Sequence, residues 1–276
     1  MESLPLIDRT PLWSIFFIAA TIVVVGIEVG YRLENYMRSR RTGTDKLPIG
    51  TIVQSTLGLL AFVLAFTFGV AAERFNDRRV LIIEEANANG TAFLRADFLP
   101  NPNRIVVQNL LRDYLDERLM LHHQIYKTSN KIQLIFQAIR RSEKLQELLW
   151  TQATAAGKAN LDSNVFALFV ESLNDAINLQ RNRVSASLYA RLPDMIWISL
   201  FIMMFLGMAG IGYELGEANS RSWPATTIAA LSFALVILII ADLERPAEGF
   251  LVANQMPLFD LNKRLGPKEQ VPAPPP

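Results

Sequence analysis

Four long apolar stretches alternate with charged segments along the chain. Each approaches or exceeds the roughly 20 residues that an α-helix needs to cross the hydrocarbon layer of a bilayer. The four predicted spans are residues 12–31, 47–72, 194–215 and 223–243. Aromatic residues typical of the membrane interface, such as Trp223, lie near the ends of the spans. The pattern predicts a four-span membrane protein with both termini on the same side of the bilayer.

The long stretch between the second and third spans is helical in its pattern. In residues 103–126, apolar side chains recur close to a 3.6-residue period, and residues 131–156 and 161–192 repeat this style. Two prolines in residues 99–103 predict a turn before the first of these helices. Alternation typical of strands is not evident. The predicted fold class is therefore all-α, with four transmembrane helices and a helical extramembrane domain inserted between the second and third.

The same pattern divides the chain into four regions. Residues 1–72 form an N-terminal transmembrane pair, 73–193 a helical domain, 194–243 a C-terminal transmembrane pair and 244–276 a C-terminal tail. The end of that tail, residues 266–276, is rich in proline, which favours an extended or disordered chain.

The second span is unusual because nothing in its sequence marks a helix end. No proline interrupts residues 49–98, although charged residues crowd in directly after Ala72, beginning with Glu73 and Arg74. A continuous helix of about 50 residues would be roughly 75 Å long, of which the hydrocarbon layer takes about 30 Å. The helix is therefore expected to continue into water or to bend and pack there.

One face of this helix, the span-two stripe, changes character along its length. Spacings of three and four residues place its members on one side of the helix. They are Thr51, Ser55, Gly58, Phe62, Phe66, Gly69 or Val70, and Glu73. If several copies surround an axis, the stripe lines a water-filled path, and the two phenylalanine rings form an apolar constriction of the kind that gates by dewetting. The alternative is that Phe62 and Phe66 face lipid or a neighbouring helix.

Other polar residues in and near the spans have two interpretations each. Gln54, Ser55 and Thr56 either form polar rings along a pore or hydrogen-bond between helices. Glu28 lies deep enough in the first span to suggest a function, but it is also close enough to Arg32 to reach the interface.

Further segments predict packing or surface contacts. The small residues of 207–216 predict close helix packing. The acidic pair Glu84 and Glu85, and the mixed charges between Asp175 and Arg183, could form a subunit contact or the wall of an ion vestibule. The simpler prediction for both segments is a solvated face or a salt-bridged contact between subunits.

Composition excludes several classes of site. The net charge of +1 gives no reason to expect a nucleic-acid partner, and the absence of cysteine excludes disulfides and thiolate metal sites. His122 and His123 are adjacent and point about 100° apart on a helix, which makes a poor metal pair. No catalytic or phosphate-binding motif is found, so neither an enzyme nor a cofactor is expected.

The sequence "FVLAF", followed by seven residues and "RF", resembles the second transmembrane helix of bestrophins. Phe62, Phe66, Arg74 and Phe75 align with that family's pattern without a gap, and "AAERFNDRR" is similar to the stretch found there in bacterial relatives. Segments such as "ANGTAFLRADFLP", "LNDAINLQRNRVSA" and "WPATTIAALSFALVILIIADLERPAEGF" extend the resemblance to a bacterial bestrophin-like group over nearly the whole chain.

The resemblance implies a homopentameric ion channel in the bacterial inner membrane, with the termini and residues 73–193 in the cytoplasm. Phe62 and Phe66 would be neck residues, and the family's third neck position falls at Gly58, where bestrophins have a bulky apolar side chain. Thr51, Gln54, Ser55 and Val70 would line the pore, with Glu73 and Arg74 at the vestibule entrance. Anion conduction is favoured over cation conduction. Calcium activation is not implied, because the family's acidic cluster has no clear counterpart.

The basic residues of the short loops predict a membrane orientation opposite to the one that the resemblance implies. Five basic residues in residues 31–46 would place that loop in the cytoplasm, although the flanks of residues 73–193 are also basic. We follow the resemblance for orientation. The competing functional hypothesis is a membrane-anchored sensor or oligomeric scaffold whose helical domain binds a partner and whose spans do not conduct.

Overall fold

The computed structural model describes residues 10–40, 49–125, 131–159, 164–246 and 249–270. The secondary structure within these ranges is helical. Its α-helices are α1 (Leu12–Arg38), α2 (Ile49–Arg95), α3 (Asn103–Ile125), α4 (Lys131–Ala159), α5 (Asn164–Leu188), α6 (Asp194–Glu217), α7 (Trp223–Glu244) and α8 (Met256–Leu265), with a 3₁₀ turn at Ala96–Phe98. The predicted all-α fold is confirmed.

Four of these helices, α1, α2, α6 and α7, are long and apolar enough to cross a membrane. The first extends further than its predicted end at residue 31, because α1 continues to Arg38. The Arg38 guanidinium donates to the carbonyl oxygens of Gly216 (3.0 Å) and Glu217 (2.6 Å). These carbonyls lie at the C-terminus of α6, where a positive charge is favourable. The last turns of α1 are therefore stabilised by a partner far away in sequence.

The second span continues as the sequence predicts. Helix α2 comprises 47 residues and runs past the charged residues after Ala72 without a break. At 1.5 Å per residue it is about 70 Å long. The first predicted residues of this span, 47 and 48, lie outside the described residues. A change from apolar to charged side chains thus ends the membrane-spanning pattern without ending the helix.

The chain forms two compact units. Unit 1 comprises Met1–Phe75 with Ala190–Val252, and unit 2 comprises Asn76–Tyr189 with Ala253–Pro276. Unit 1 contains α1, the first half of α2, α6 and α7. Its apolar core includes Leu60, Met208 and Ile237, each fully buried. Since these residues come from three different helices, their packing holds α2, α6 and α7 together.

Glycines allow α1 and α6 to approach closely in unit 1. A Cβ atom added to Gly30 would lie 1.9 Å from the carbonyl oxygen of Ala209, and one added to Gly212 would lie 2.0 Å from that of Ile27. Both obstacles are backbone atoms, which cannot move aside as the end of a side chain can. The prediction that the small residues of 207–216 mediate packing is confirmed.

Replacing Gly30 with valine is expected to destabilise the protein by at least about 2–3 kcal/mol, because the side chain would force α1 away from α6. Thermal unfolding in detergent measures this loss. The matched control is Gly69→Val, since a Cβ at Gly69 meets nothing within 4 Å. Equal midpoints for the two variants would contradict the proposed role of Gly30.

Unit 2 has two apolar clusters. The first joins α3, α4 and α5 through Leu111, Leu149 and Phe169. The second includes Ile82 of α2, Leu115 of α3 and the fully buried Leu258 of α8. The short C-terminal helix therefore contributes to the core of this unit, although the sequence pattern assigned its residues only to a tail.

Candidate pore-lining site

The span-two stripe is exposed on the single chain. Phe62 and Phe66 leave 68% and 65% of their surface accessible, and the stripe members Thr51, Ser55, Gly58, Gly69 and Glu73 are exposed as well. A Cβ added to Gly58 would meet nothing within 4 Å. The structure thus brings the predicted polar, aromatic and acidic positions together on one free face of α2.

The opposite face of α2 is buried in unit 1. Val53, Leu60, Leu64 and Ala71 lie in or against the apolar core there. Gly210 of α6 lets Val53 approach, since an added Cβ would come within 2.8 Å of its side chain. Because one side of α2 is fixed by this packing, the direction in which the span-two stripe faces is fixed as well.

Two residues predicted to line a pore lie away from the centre of this free face. Val70 is half-buried and packs against the core of unit 1, whereas Gly69 is exposed. On the single chain, Gly69 therefore continues the exposed face and Val70 lies at its edge. Gln54 is exposed, but it lies about 100° around the helix from Ser55.

The hydroxyl groups near the start of α2 bond to their own helix. Ser55 Oγ donates to the carbonyl oxygen of Thr51 at 2.8 Å, and Thr56 Oγ1 donates to that of Ile52 at 2.9 Å. These bonds satisfy the hydroxyl protons without a partner on another helix.

Glu73 and Arg74, both predicted at the vestibule entrance, differ in their surroundings. Glu73 is exposed at the end of the span-two stripe. Arg74 turns towards α7, where its Nη1 lies 3.4 Å from both carboxylate oxygens of the buried Glu244. Glu244 also accepts the backbone N–H of Leu192 at 2.9 Å. Arg74 therefore joins α2 to α7 instead of adding positive charge to the free face.

Asp242, an acidic residue in the last turn of α7, holds the chain that follows this helix. The buried Asp242 carboxylate accepts the backbone N–H groups of Phe250 (2.9 Å) and Leu251 (2.9 Å). Gly249 has φ +118°, and an added Cβ would lie 1.8 Å from Asp242 Oδ1. This geometry shapes a turn. Among the described residues, no group of three or more metal-ligating side chains is found.

Glu84 and Glu85 have different environments, although both lie on the unit 2 part of α2. Glu84 is exposed, as expected for a solvated face. Glu85 is fully buried and binds Arg183, the Tyr114 hydroxyl and Arg118, whose Nε lies 3.5 Å from Glu85 Oε1. The expectation of a solvated or intersubunit face is wrong for Glu85 and Arg183, because these residues pair inside unit 2.

The two arginines determine the charge state of this cluster. Burial alone would raise the pKa of Glu85, but Arg183 and Arg118 outweigh it and hold that pKa below its ordinary value. The pKa of Tyr114 lies well above its ordinary value, because burial and the Glu85 carboxylate both disfavour the phenolate. Glu85 is thus an ionised acceptor and Tyr114 a neutral donor.

The chain resembles bestrophin-related proteins both in a sequence profile and in fold. A sequence profile described as a bestrophin-like domain matches residues 16–258. A bacterial bestrophin homolog from Klebsiella pneumoniae matches at 15% identity with a TM-score of 0.65, covering 93% of this chain and 96% of that one. A second structure of this homolog has a TM-score of 0.63 at 15% identity, with coverages of 92% and 96%.

A membrane protein of 14% identity matches as well, with a TM-score of 0.66, covering 92% of this chain and 97% of that one. No curated protein sequence matches the chain significantly.

Proposed function

Because the chain belongs to the bestrophin-like family, we propose that it forms an oligomeric ion channel whose conduction path is lined by the span-two stripe. The observation that carries this proposal is the continuous free face of α2, on which hydroxyls, two phenylalanines and a carboxylate follow one another. A lipid-facing helix has no physical need for this order, because the hydrocarbon layer favours apolar side chains along the whole span. A water-filled path interrupted by a short apolar segment explains it.

The proposed assembly is a homopentamer with α2 of each copy facing the axis. In this arrangement Phe62 and Phe66 form two adjacent rings of a neck, and Gly58 widens the path one turn away. We further propose that the protein lies in the bacterial inner membrane with its termini and residues 73–193 in the cytoplasm. The family resemblance supports these assignments.

Current measurements in planar bilayers test conduction directly. Purified wild-type protein is expected to give single-channel currents, and its particle mass in detergent is expected to correspond to a pentamer. Currents absent from the wild type and from the Phe62→Ala, Phe66→Ala double variant would contradict the channel. A monomeric or dimeric particle that does not conduct would instead support the sensor or scaffold hypothesis.

The charges along α2 favour cations, in contrast to the anion conduction that the resemblance implies. Glu73, Asp77 and Glu84 lie within about 40° of one another around the helix and are all exposed. The three arginines of this region, Arg74, Arg78 and Arg79, are each at least about 100° from Glu73. Repeated around an axis, this face would attract cations and repel anions.

Replacing Glu73 with glutamine is expected to reduce cation preference, because it removes the carboxylate ring nearest the neck. In an asymmetric KCl gradient, the reversal potential of the wild type should lie close to the equilibrium potential of potassium. The reversal potential of the Glu73→Gln variant should shift towards zero. Glu143→Gln, an exposed carboxylate on α4, serves as the control and should leave the potential unchanged. A wild-type reversal potential near that of chloride would refute the cation preference while preserving the channel.

A further inference from the structure

The side chain of Glu28 organises two arginines at one end of the membrane helices of unit 1. Glu28 Oε1 accepts from Arg32 Nε at 2.7 Å, and Glu28 Oε2 accepts from Arg221 Nη2 at 2.7 Å. Both carboxylate oxygens are thereby used, while each guanidinium retains further N–H donors. The three groups together carry one net positive charge, and all three are partly or largely exposed.

Two aromatic rings hold Arg221 in place from its other sides. The centre of its guanidinium lies 4.7 Å from the Trp223 ring and 5.6 Å from the Tyr31 ring. Such cation–π contacts orient a guanidinium without consuming its hydrogen-bond donors. Tryptophan and tyrosine are also the residues that mark the headgroup level of a membrane protein. The arginines therefore lie at the depth where lipid phosphates are found.

The cleft beside these residues changes from charged to apolar. Arg32 does not line this open cleft itself and is joined to it through Glu28. The lining combines charged, aromatic and apolar side chains, among them Glu28, Arg221, Tyr31, Trp223, Val24, Ile27 and Leu215. Val24 precedes Glu28 by one helical turn, so the apolar part of the cleft lies on the membrane side of the carboxylate. A ligand that fits both parts must itself have an anionic end and a hydrocarbon end.

We propose that this cleft binds an anionic phospholipid, with its phosphate on Arg32 and Arg221 and the start of an acyl chain against Val24 and Ile27. Planar guanidinium groups recognise phosphate oxygens through paired N–H donors. The net positive charge selects a headgroup with net negative charge over a zwitterionic one. Glu28 acts as the support that keeps two mutually repelling arginines close together. This proposal does not depend on ion conduction.

Lipid binding can be measured on the full-length protein in neutral detergent by native mass spectrometry. The probes are phosphatidylglycerol, phosphatidylcholine with the same acyl chains, and inorganic phosphate. Wild type is expected to retain phosphatidylglycerol in preference to phosphatidylcholine. Arg221→Ala should weaken phosphatidylglycerol binding by about tenfold, corresponding to the loss of one charge-assisted pair of hydrogen bonds. Arg221→Lys keeps the positive charge but loses the planar guanidinium, so its affinity for phosphatidylglycerol should lie between those of the wild type and Arg221→Ala.

The controls separate this site from general attraction to a basic surface. Arg40→Gln removes a positive charge after the end of α1, where Arg40 stacks on Tyr36, and should leave lipid retention unchanged. Arg32→Ala provides a second test in case Arg221→Ala folds poorly, because the Arg32 side chain is 78% exposed. Equal retention of the two lipids by wild type would overturn the proposal. So would unaltered phosphatidylglycerol binding in the folded Arg32→Ala and Arg221→Lys variants, or full displacement of lipid by inorganic phosphate.

Discussion

Replacing Glu85 with glutamine is expected to destabilise unit 2 by about 3–5 kcal/mol, because it leaves two buried arginines without their counter-charge. The side chains of Arg118 and Arg183 are only 5% and 14% exposed, so water cannot replace the lost carboxylate. Glutamine also offers only one acceptor oxygen to the Tyr114 hydroxyl and the two guanidinium groups, and its amide NH2 places further donors against these donors. The measurement is the thermal unfolding midpoint of the purified protein in detergent.

The neighbouring residue provides a matched control for this prediction. Glu84→Gln removes the same charge from the same helix at an exposed position and should change stability by less than about 0.5 kcal/mol. Adding Arg183→Gln to Glu85→Gln should recover part of the loss, because the double variant buries less unpaired charge. A Glu85→Gln midpoint equal to that of Glu84→Gln would show that the cluster does not stabilise the unit.

The second large effect is expected at the proposed neck. Replacing both Phe62 and Phe66 with alanine should raise single-channel conductance by about tenfold, since removing roughly 1.4 kcal/mol of dewetting barrier has that consequence. The physical reason is that alanine leaves space for water between the helices where the phenylalanine rings exclude it. Single-channel recording of wild type and variant under the same salt conditions measures the change.

Phe68 provides the control, because it is also exposed on α2 but lies well away from the span-two stripe. Phe68→Ala should leave conductance unchanged. If Phe68→Ala and the double variant change conductance equally, the effect comes from the lipid-facing surface and the neck is wrongly placed. If neither variant changes it while the wild type conducts, the path does not pass between these phenylalanines.

Much of the fold could be predicted because it follows from patterns within single helices. Span length identifies the four membrane helices, and the absence of proline between Ile49 and Phe98 predicts that α2 continues beyond Ala72. The span-two stripe follows from helical spacing alone. The exposure of this stripe cannot be predicted in the same way, because helical spacing defines a face of the helix but does not show which other helices cover it. Only the packing of Val53 and Leu60 against unit 1 determines which side of α2 stays free.

The remaining features depend on partners that sequence spacing cannot reveal. Glu84 and Glu85 are identical in type and adjacent, so their opposite burial depends on where α3 and α5 supply Tyr114 and Arg183. Arg74 and its partner Glu244 are 170 positions apart in the sequence. Helix α8 is ten residues long, too short for its periodicity to be distinguished from a tail. Each of these features needed the tertiary structure.

The internal hydrogen bond of Ser55 has a consequence for how an ion would meet this helix. Its hydroxyl proton is directed to the Thr51 carbonyl, so the side of the oxygen that faces away from the helix offers lone pairs and no donor. A ring of such oxygens can replace part of the water around a cation, but it has no proton to share with an anion. In the proposed pore, the uncharged end of α2 around Ser55 would therefore favour cations over anions, in addition to the effect of the carboxylates at the other end of the span.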